Sequence, residues 1–230
     1  MTIYYEDETA TIYQGNMEEI IRTLDFDYII TDPPYNKGYK YPDYKDRLKE
    51  NDYINLLKNM EGYKTALIHY PESICNVVNK ALGDVNKMIS WCYNSNMSYR
   101  AHRTIAFYNC MPDFNKVKQP YKKPKDKAVL KLIANGSTGA KSYDWFESQI
   151  VKNTSKEKNS NFTNQIPIVV LERIIKLISK EGDTILDPFF GSGSLYFACK
   201  KLNRKCIGIE QSEKHLDIFK ERLNQFNIGD

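Results

Sequence analysis

Tyr28-Ile29-Ile30-Thr31-Asp32-Pro33-Pro34-Tyr35-Asn36 is the stretch on which the fold turns. Tyr28 to Ile30 is a short apolar run of the kind that forms a buried strand. It ends at a carboxylate. Asp32 is therefore expected at the carboxyl end of a strand, where open α/β sheets place their ligands. Asp32 and Pro33 each precede a proline, which biases both away from helix. Neither proline has an N–H, so the turn offers acceptors and few donors. A carboxylate, the Pro33 carbonyl and the Tyr35 ring converge within four residues. Two acceptors beside an aromatic face suit a planar base with an exocyclic amino group. A lone turn of this kind is equally explained as a rigid strand end, and the rest of the chain has to decide.

Outward from this stretch, the chain alternates strands and helices. Thr11 to Asn16 is a short strand closed by a turn, and Met17 to Leu24 has helical spacing. A polar loop, Lys37 to Arg47, follows the Asp32 strand in a position that often covers an active site. Asp52 to Met60 is a helix, Thr65 to Tyr70 a strand, and Ser73 opens a further helix. Lys87 to Tyr93 and Arg103 to Tyr108 are strands with no room for a helix between them, hence an antiparallel pair. From Met111 to Thr163 the periodicity fails, with Trp145-Phe146 an apolar island. A helix from Ile168 to Ser179, a strand Thr184 to Leu186, a helix Leu195 to Leu202, a strand Cys206 to Glu210 and a last helix from about Ser212 to Phe226 complete the chain.

The strand at Thr184 runs into Asp187-Pro188-Phe189-Phe190-Gly191-Ser192-Gly193-Ser194. Gly191 and Gly193 let a ligand approach the backbone at a helix N-terminus. Glu210 lies 19 positions after Gly191, the spacing of an acid that holds a ribose diol. A dinucleotide fingerprint needs a small residue where Tyr196 stands, and a phosphate-binding P-loop needs a lysine that is missing. A nucleoside ligand without phosphates fits better.

Composition narrows the class. At 230 residues and 41% hydrophobic, the chain can bury a sizeable core. Net charge is only +4, but residues 111–160 hold eleven Lys, no Arg and five Asp or Glu. A basic segment on a near-neutral body points to a polyanion met at one face, although a solvated lysine loop has the same composition. The five cysteines are scattered without a C-x-x-C pair, which argues against a disulfide framework and a zinc site and for the reducing cytoplasm. No metal site is expected. His69, His102 and His215 form no ligand spacing and are read as surface or core residues. No apolar run approaches 18 residues, so no membrane association is expected.

The two motifs together resemble the amino-methyltransferases of DNA, in which D-P-P-Y is catalytic and D-P-F-x-G-S-G-T holds S-adenosylmethionine; here Ser194 replaces the usual Thr. The catalytic motif comes about 155 residues before the cofactor motif, an order similar to that of the permuted β-group of the family. The resemblance implies a doubly wound, mainly parallel seven-stranded sheet, circularly permuted, with the Arg103 strand antiparallel. It implies that residues 1–110 are the catalytic half, 111–163 a small target-recognition insertion and 164–230 the cofactor-binding half. It implies catalytic Asp32, Pro33, Pro34 and Tyr35, with Asp32 and the Pro33 carbonyl accepting the amino protons and Tyr35 stacking on a flipped base. Cofactor-binding positions would be Asn16, Asp32, Asp187, Pro188, Phe189, Gly191, Ser192, Gly193, Ser194 and Glu210. Phe162-Thr163 replace the family's usual His-Pro and carry no assigned role. Lys122, Lys123, Lys125 and Lys127 are expected to meet double-stranded DNA. An Asp-led motif favours adenine-N6 over cytosine-N4 as the methylated atom; a catalytically idle DNA-binding module is the alternative. A homodimer and a cognate restriction nuclease stand as candidate partners.

Overall fold

The computed structural model describes residues 2–41, 43–94, 101–152, 155, 157–158, 162 and 164–227. Eleven strands are formed among them: β1 (Thr2–Glu6), β2 (Ala10–Gln14), β3 (Tyr28–Thr31), β4 (Thr65–His69), β5 (Lys87–Cys92), β6 (His102–Tyr108), β7 (Lys118–Gln119), β8 (Ala140–Lys141), β9 (Trp145–Glu147), β10 (Thr184–Asp187) and β11 (Lys205–Glu210). The helices are α1 (Met17–Ile20), α2 (Glu50–Lys58), α3 (Pro71–Ser73), α4 (Asn79–Leu82), α5 (Lys127–Ala134), α6 (Ile168–Ile178), α7 (Ser194–Lys201) and α8 (Glu213–Asn227). A π-helical stretch, Ile74–Val78, joins α3 to α4.

Nine strands make one sheet in the order β1-β2-β11-β10-β3-β4-β6-β5-β9. β2, β11, β10, β3 and β4 run parallel, and β6 lies antiparallel between β4 and β5. The seven central strands, with β6 reversed among them, are those expected from the sequence. Two edges are added. β1 forms a hairpin with β2, and β9 pairs parallel with β5 through Phe146↔Trp91. The apolar island at Trp145-Phe146 is thus an edge strand.

Alternation along each strand splits the core in two. Ile30, Ala66, Ile68 and Ile185 face α6 and α7, while Ile29, Leu67 and Leu186 face α2 and the 71–82 helical segment. Helix α6 buries Val170, Leu171, Ile174, Ile175, Leu177 and Ile178 along one stripe, the spacing a sheet-packed helix needs.

Topology decides which end of the sheet carries chemistry. β3 and β10 are neighbours in register Ile185↔Tyr28 and Leu186↔Ile29, so Asp32 and Asp187 leave the sheet side by side at its carboxyl end. The crevice there lies outside the carboxyl ends of the parallel strands, as in other open α/β sheets. β6 runs the other way, so Tyr108 pairs with Thr65 at the far end. The segment after it stays at that far end: Asp113 N donates to Leu177 O, at the close of α6, at 2.8 Å, and Lys116 Nζ donates to Ser179 O at 3.3 Å. Residues 111–144, with the β7–β8 ribbon and α5, form a lobe rooted there.

Candidate active site

The first bond to consider joins the two motifs. Thr31 Oγ1 donates to Asp187 Oδ1 at 2.7 Å, and both groups are buried. Phe189 N also donates to Asp187 Oδ1, at 3.0 Å. Burial nevertheless pushes the Asp187 carboxyl up to about 7, with the charges of Asp32 and Glu210 adding to the rise against those two hydrogen bonds. Asp187 thus stands at the seam between the two halves of a single pocket.

That pocket is lined by Gly15, Asn16 and Met17 after β2, by Asp32 and Pro34 after β3, and by Asp187 through Ser192 after β10. Ser194, Glu210 and His215 complete the lining on the β10–β11 side. Glu210 is held by backbone donors: Gly191 N reaches Oε2 and Ser212 N reaches Oε1, each at 2.8 Å. Two lone-pair directions are taken and the others remain for a ligand in the pocket. Gly193 has φ +77, and a Cβ there would fall 2.4 Å from the Phe219 ring, so the turn closes only with glycine. Arg222, fully buried on α8, donates to Ser192 O at 2.6 Å and to Ser194 Oγ at 3.2 Å, fixing the turn from behind. Asn16 caps α1 by accepting from Glu18 N at 3.2 Å and faces the pocket beside Glu210. A carboxylate oriented by N–H groups, an open glycine turn and the apolar walls Met17, Phe189 and Ile209 fit an adenosine-bearing ligand.

On the other side, Asp32 is half-buried at the end of β3. Burial pushes its carboxyl up to about 6, against the pull of the Arg103 guanidinium and of the Tyr35 hydroxyl, which donates to Asp32 Oδ1. Pro33 is buried, and its carbonyl accepts no hydrogen bond from the described residues. Pro34 lines the pocket, and its carbonyl accepts from Tyr53 Oη at 2.6 Å. Behind Tyr53 stands His69, whose Nε2 lies 3.1 Å from Tyr53 Oη and whose Nδ1 accepts from Tyr70 N at 2.8 Å. Burial holds the His69 pKa down at about 3, so the ring is neutral with its proton on Nε2. The chain of donors therefore runs from Tyr70 N–H through His69 and Tyr53 to Pro34. It pins the second half of the turn.

Tyr35 stands differently from the expectation that its ring offers an open stacking face. The ring is buried, with Tyr70 at 5.0 Å, His69 at 4.9 Å and Arg103 at 5.0 Å from its centre. Stacking on a base would need this ring to turn away from Asp32.

The loop after Tyr35 is built by Asp46. This buried carboxylate accepts from Asn36 N at 2.6 Å, Lys37 N at 3.0 Å and Tyr39 N at 2.8 Å. The loop brings Tyr41, Asp43 and Tyr44 to the pocket, and Ser212 Oγ donates to Asp43 Oδ2 at 2.6 Å, joining the loop to the β11 side.

The structure does not bring Lys122, Lys123, Lys125 and Lys127 to the pocket. They are exposed in the lobe at the amino-terminal end of the strands, where Lys122 Nζ sits 5.0 Å from the Tyr143 ring centre. The chain returns to the site end only through β9, after which Asn94 N meets Gln149 Oε1 at 3.3 Å and Phe162 reaches the pocket. Residues 95–100 of the Asn94-to-His102 loop lie outside the described residues, as does Thr163. His215, read from sequence as a surface or core residue, lines the pocket with Nδ1 3.4 Å from Glu210 Oε1. Among the described residues no group of three His, Cys, Asp or Glu could hold a metal. No helix among them is long and apolar enough to cross a membrane.

The sequence profile described as DNA methylase, covering the N6 and N4 enzymes, matches residues 26–221. The chain belongs to that family. It is 31% identical over 225 residues to the Type II methyltransferase M.HpaI of Haemophilus parainfluenzae, covering 87% of this chain and 69% of that protein. Its fold is similar to that of PvuII DNA methyltransferase (cytosine-N4-specific), with TM-score 0.65 and 13% identity over 97% of this chain and 95% of the other. It is also similar to M1.HpyAVI solved with S-adenosylmethionine, with TM-score 0.60 and 24% identity over 94% and 99% of the two chains. This DNA methylase therefore takes S-adenosylmethionine as methyl donor and carries a doubly wound α/β methyltransferase fold.

Proposed function

We propose that the DNA methylase transfers a methyl group to the N6 amino group of adenine within a specific double-stranded sequence. What supports the reading is the placement of Asp32. It lines the same pocket as Glu210, Gly191 and Ser192, and the buried Pro33 next to it, outside the pocket lining, has a carbonyl that accepts no hydrogen bond from the described residues. The Asp at the head of the motif favours adenine over cytosine.

The chemistry follows from a weak nucleophile. The lone pair of a nucleobase amine is delocalised into the ring. Asp32 and the Pro33 carbonyl accept its two N–H bonds, favour a tetrahedral nitrogen and stabilise the positive charge that develops there. Bound S-adenosylmethionine supplies a methyl group on a sulfonium, ready for direct transfer. Asp32 need not take a proton before attack. Once the nitrogen has been methylated and is cationic, a carboxylate with a pKa of about 6 can accept the proton that leaves. Because the base must be out of the helix to reach Asp32, the enzyme flips it, and Tyr35 turns from Asp32 to stack on it. The remaining task of the pocket is alignment.

Asn16, Asp187, Pro188, Phe189, Gly191, Ser192, Gly193, Ser194 and Glu210 are assigned to the cofactor, with Glu210 on the ribose diol. Target reading is assigned to the 111–163 insertion, of which Phe162 lines the pocket. Lys122, Lys123, Lys125 and Lys127 are given a secondary contact with the DNA backbone. The five free cysteines suit the cytoplasm, and the Type II name of the M.HpaI relative suggests a companion restriction nuclease. Nucleoside mass spectrometry of DNA treated with enzyme and S-adenosylmethionine tests the reading. N6-methyladenine is the expected product; N4-methylcytosine would reassign the base, and unmodified DNA would leave a binding module.

A further inference from the structure

We propose that Arg103 is a positioning residue for methyl transfer: its buried guanidinium, laid against the Tyr35 ring behind Asp32, keeps the Asp32 carboxylate charged and aimed at the amino group. The proposal rests on the catalytic role given to Asp32 above.

Arg103 is the second residue of β6, whose reversed direction puts its start at the carboxyl end of the parallel strands, next to the Thr104↔His69 pair. It is only 6% exposed. Its guanidinium carbon lies 5.0 Å from the centre of Tyr35, 5.5 Å from Trp91 and 5.9 Å from Tyr70. Its Nε is buried without a hydrogen-bond partner, and no carboxylate among the described residues lies within ion-pair distance of it.

Burying a guanidinium without a paired carboxylate costs several kcal/mol, and an apolar side chain of similar size would fill the space more stably. Three aromatic faces return part of that cost through cation–π attraction. They do not explain why a cation is there. Asp32 does. The groups that act on Asp32 or feel its charge are Tyr35, Arg103, Tyr41, Tyr53 and Asp187. Asp187 is a second buried carboxylate, and Arg103 is the cation of the set. Those that face Arg103 are Tyr35, Asp32, Tyr93 and Tyr70, with neutral His69 close by. Asp32 is the carboxylate among them. Covering the pocket with a base and a cofactor removes more water from Asp32. A fixed cation behind it then matters more, since Coulomb attraction grows as the local dielectric falls. The same guanidinium packs on Tyr35, whose hydroxyl holds Asp32 until a base arrives; once Tyr35 turns to stack, the guanidinium is the group left to hold the carboxylate.

The test is the pH dependence of the single-turnover methylation rate, from about pH 5.5 to about pH 9, with saturating S-adenosylmethionine and duplex DNA. Wild type is expected to show an acid limb as Asp32 protonates. In Arg103→Met the limb should move upward by about one pH unit or more, so that on the limb the rate is about tenfold lower while the plateau at high pH is largely regained. Arg103→Lys, which keeps the charge, should restore the limb toward wild type. Calorimetry should give the same S-adenosylmethionine affinity in all three. If Arg103→Met does not fold, neutral Arg103→Gln takes its place. A rate lowered by one factor at every pH, or an unmoved limb, would overturn the proposal. So would a lysine variant no better than the neutral one. A wild type that methylates nothing would instead sink the catalytic role of Asp32 itself.

Discussion

The wall assigned to the cofactor and the wall assigned to the base face each other across one pocket, and their polar atoms are held by different kinds of partner. On the cofactor wall the backbone does the holding. Phe189 N fixes Asp187, and Gly191 N and Ser212 N fix Glu210, all within residues 187–212, with Thr31 Oγ1 the one side chain added from β3. On the base side, side chains from four separate elements hold one another: Tyr35 on Asp32, Tyr53 on Pro34, His69 on Tyr53, and Arg103 over Tyr35. The first wall is a local structure completed by Arg222. The second exists only once β3, α2, β4 and β6 have assembled. The base-side wall should therefore fail in turnover and the cofactor wall in binding.

The largest effect is expected from Asp32→Ala. Removing the group that meets developing charge should lower the methylation rate by on the order of 10²- to 10³-fold, while S-adenosylmethionine affinity changes little. Single-turnover kinetics with calorimetry checks both halves. Full activity would break the division between the walls. Glu210→Ala should do the reverse: loss of hydrogen bonds to a charged acceptor costs about 1.5–3 kcal/mol, roughly tenfold to a hundredfold in cofactor affinity. An unchanged dissociation constant would remove the ribose assignment.

These contrasts also set what was legible in the sequence. Asp187 to Ser194 followed by Glu210 is readable because its geometry is carried by glycines and backbone N–H groups near in sequence. The strand order follows from the same alternation of apolar runs and turns. Arg103, Tyr53 and His69 were not readable as site residues, because nothing in their neighbourhoods announces that topology will bring them behind Asp32. His215, read as a surface or core residue, is buried, and only the fold turns it from α8 toward Glu210. Strand β1 was missed since its residues are mostly exposed and it is held by pairing with β2. Composition identified the lysine-rich segment but could not say at which end of the sheet it sits. The reversed direction of β6 decides that.

A milder loss is expected from Tyr53→Phe. The Pro34 carbonyl and His69 Nε2 lose a partner at a net cost of about 1 kcal/mol, or roughly fivefold in rate, with cofactor affinity intact. A fall in cofactor affinity instead would show that the walls are coupled through Pro34.

Asp187 and Asp32 give the contrast a pH dependence. Burial leads the rise in both pKa values, to about 7 and about 6. Between the unfolded value of 3.8 and these folded values the native state binds more protons than the unfolded one. The contribution of the two groups to unfolding free energy therefore falls as pH rises from about 4 to about 7 and is fully felt above that. S-adenosylmethionine brings a sulfonium and an ammonium group, and both favour ionised carboxylates. Its affinity should accordingly weaken severalfold as pH drops through about 7, where Asp187 takes up its proton. Calorimetric titrations across that range check it, and Asp187→Asn should flatten the upper part of the curve.

The smallest effect is expected from the four lysines. If Lys122, Lys123, Lys125 and Lys127 all touched phosphates, each would add roughly −0.9 to the slope of log affinity against log salt. Their alanine variant would then lose a slope of about three to four. The lobe that carries them is rooted beside Leu177 and Ser179, at the opposite end of the strands from Asp32. With a base seated at Asp32 as proposed, the duplex is expected first at Lys37, Tyr41, Asp43 and Tyr44 and at Phe162, which lie at that end. The quadruple variant should therefore change the slope by less than about one and weaken all duplexes alike, since lysines on phosphates position and do not read sequence. Charge removal at Lys37, Lys45 and Arg47, on the loop beside the pocket, should change it more. A loss approaching four from the lysine variant would place the duplex across the lobe, and the sheet's two ends would both have to touch DNA.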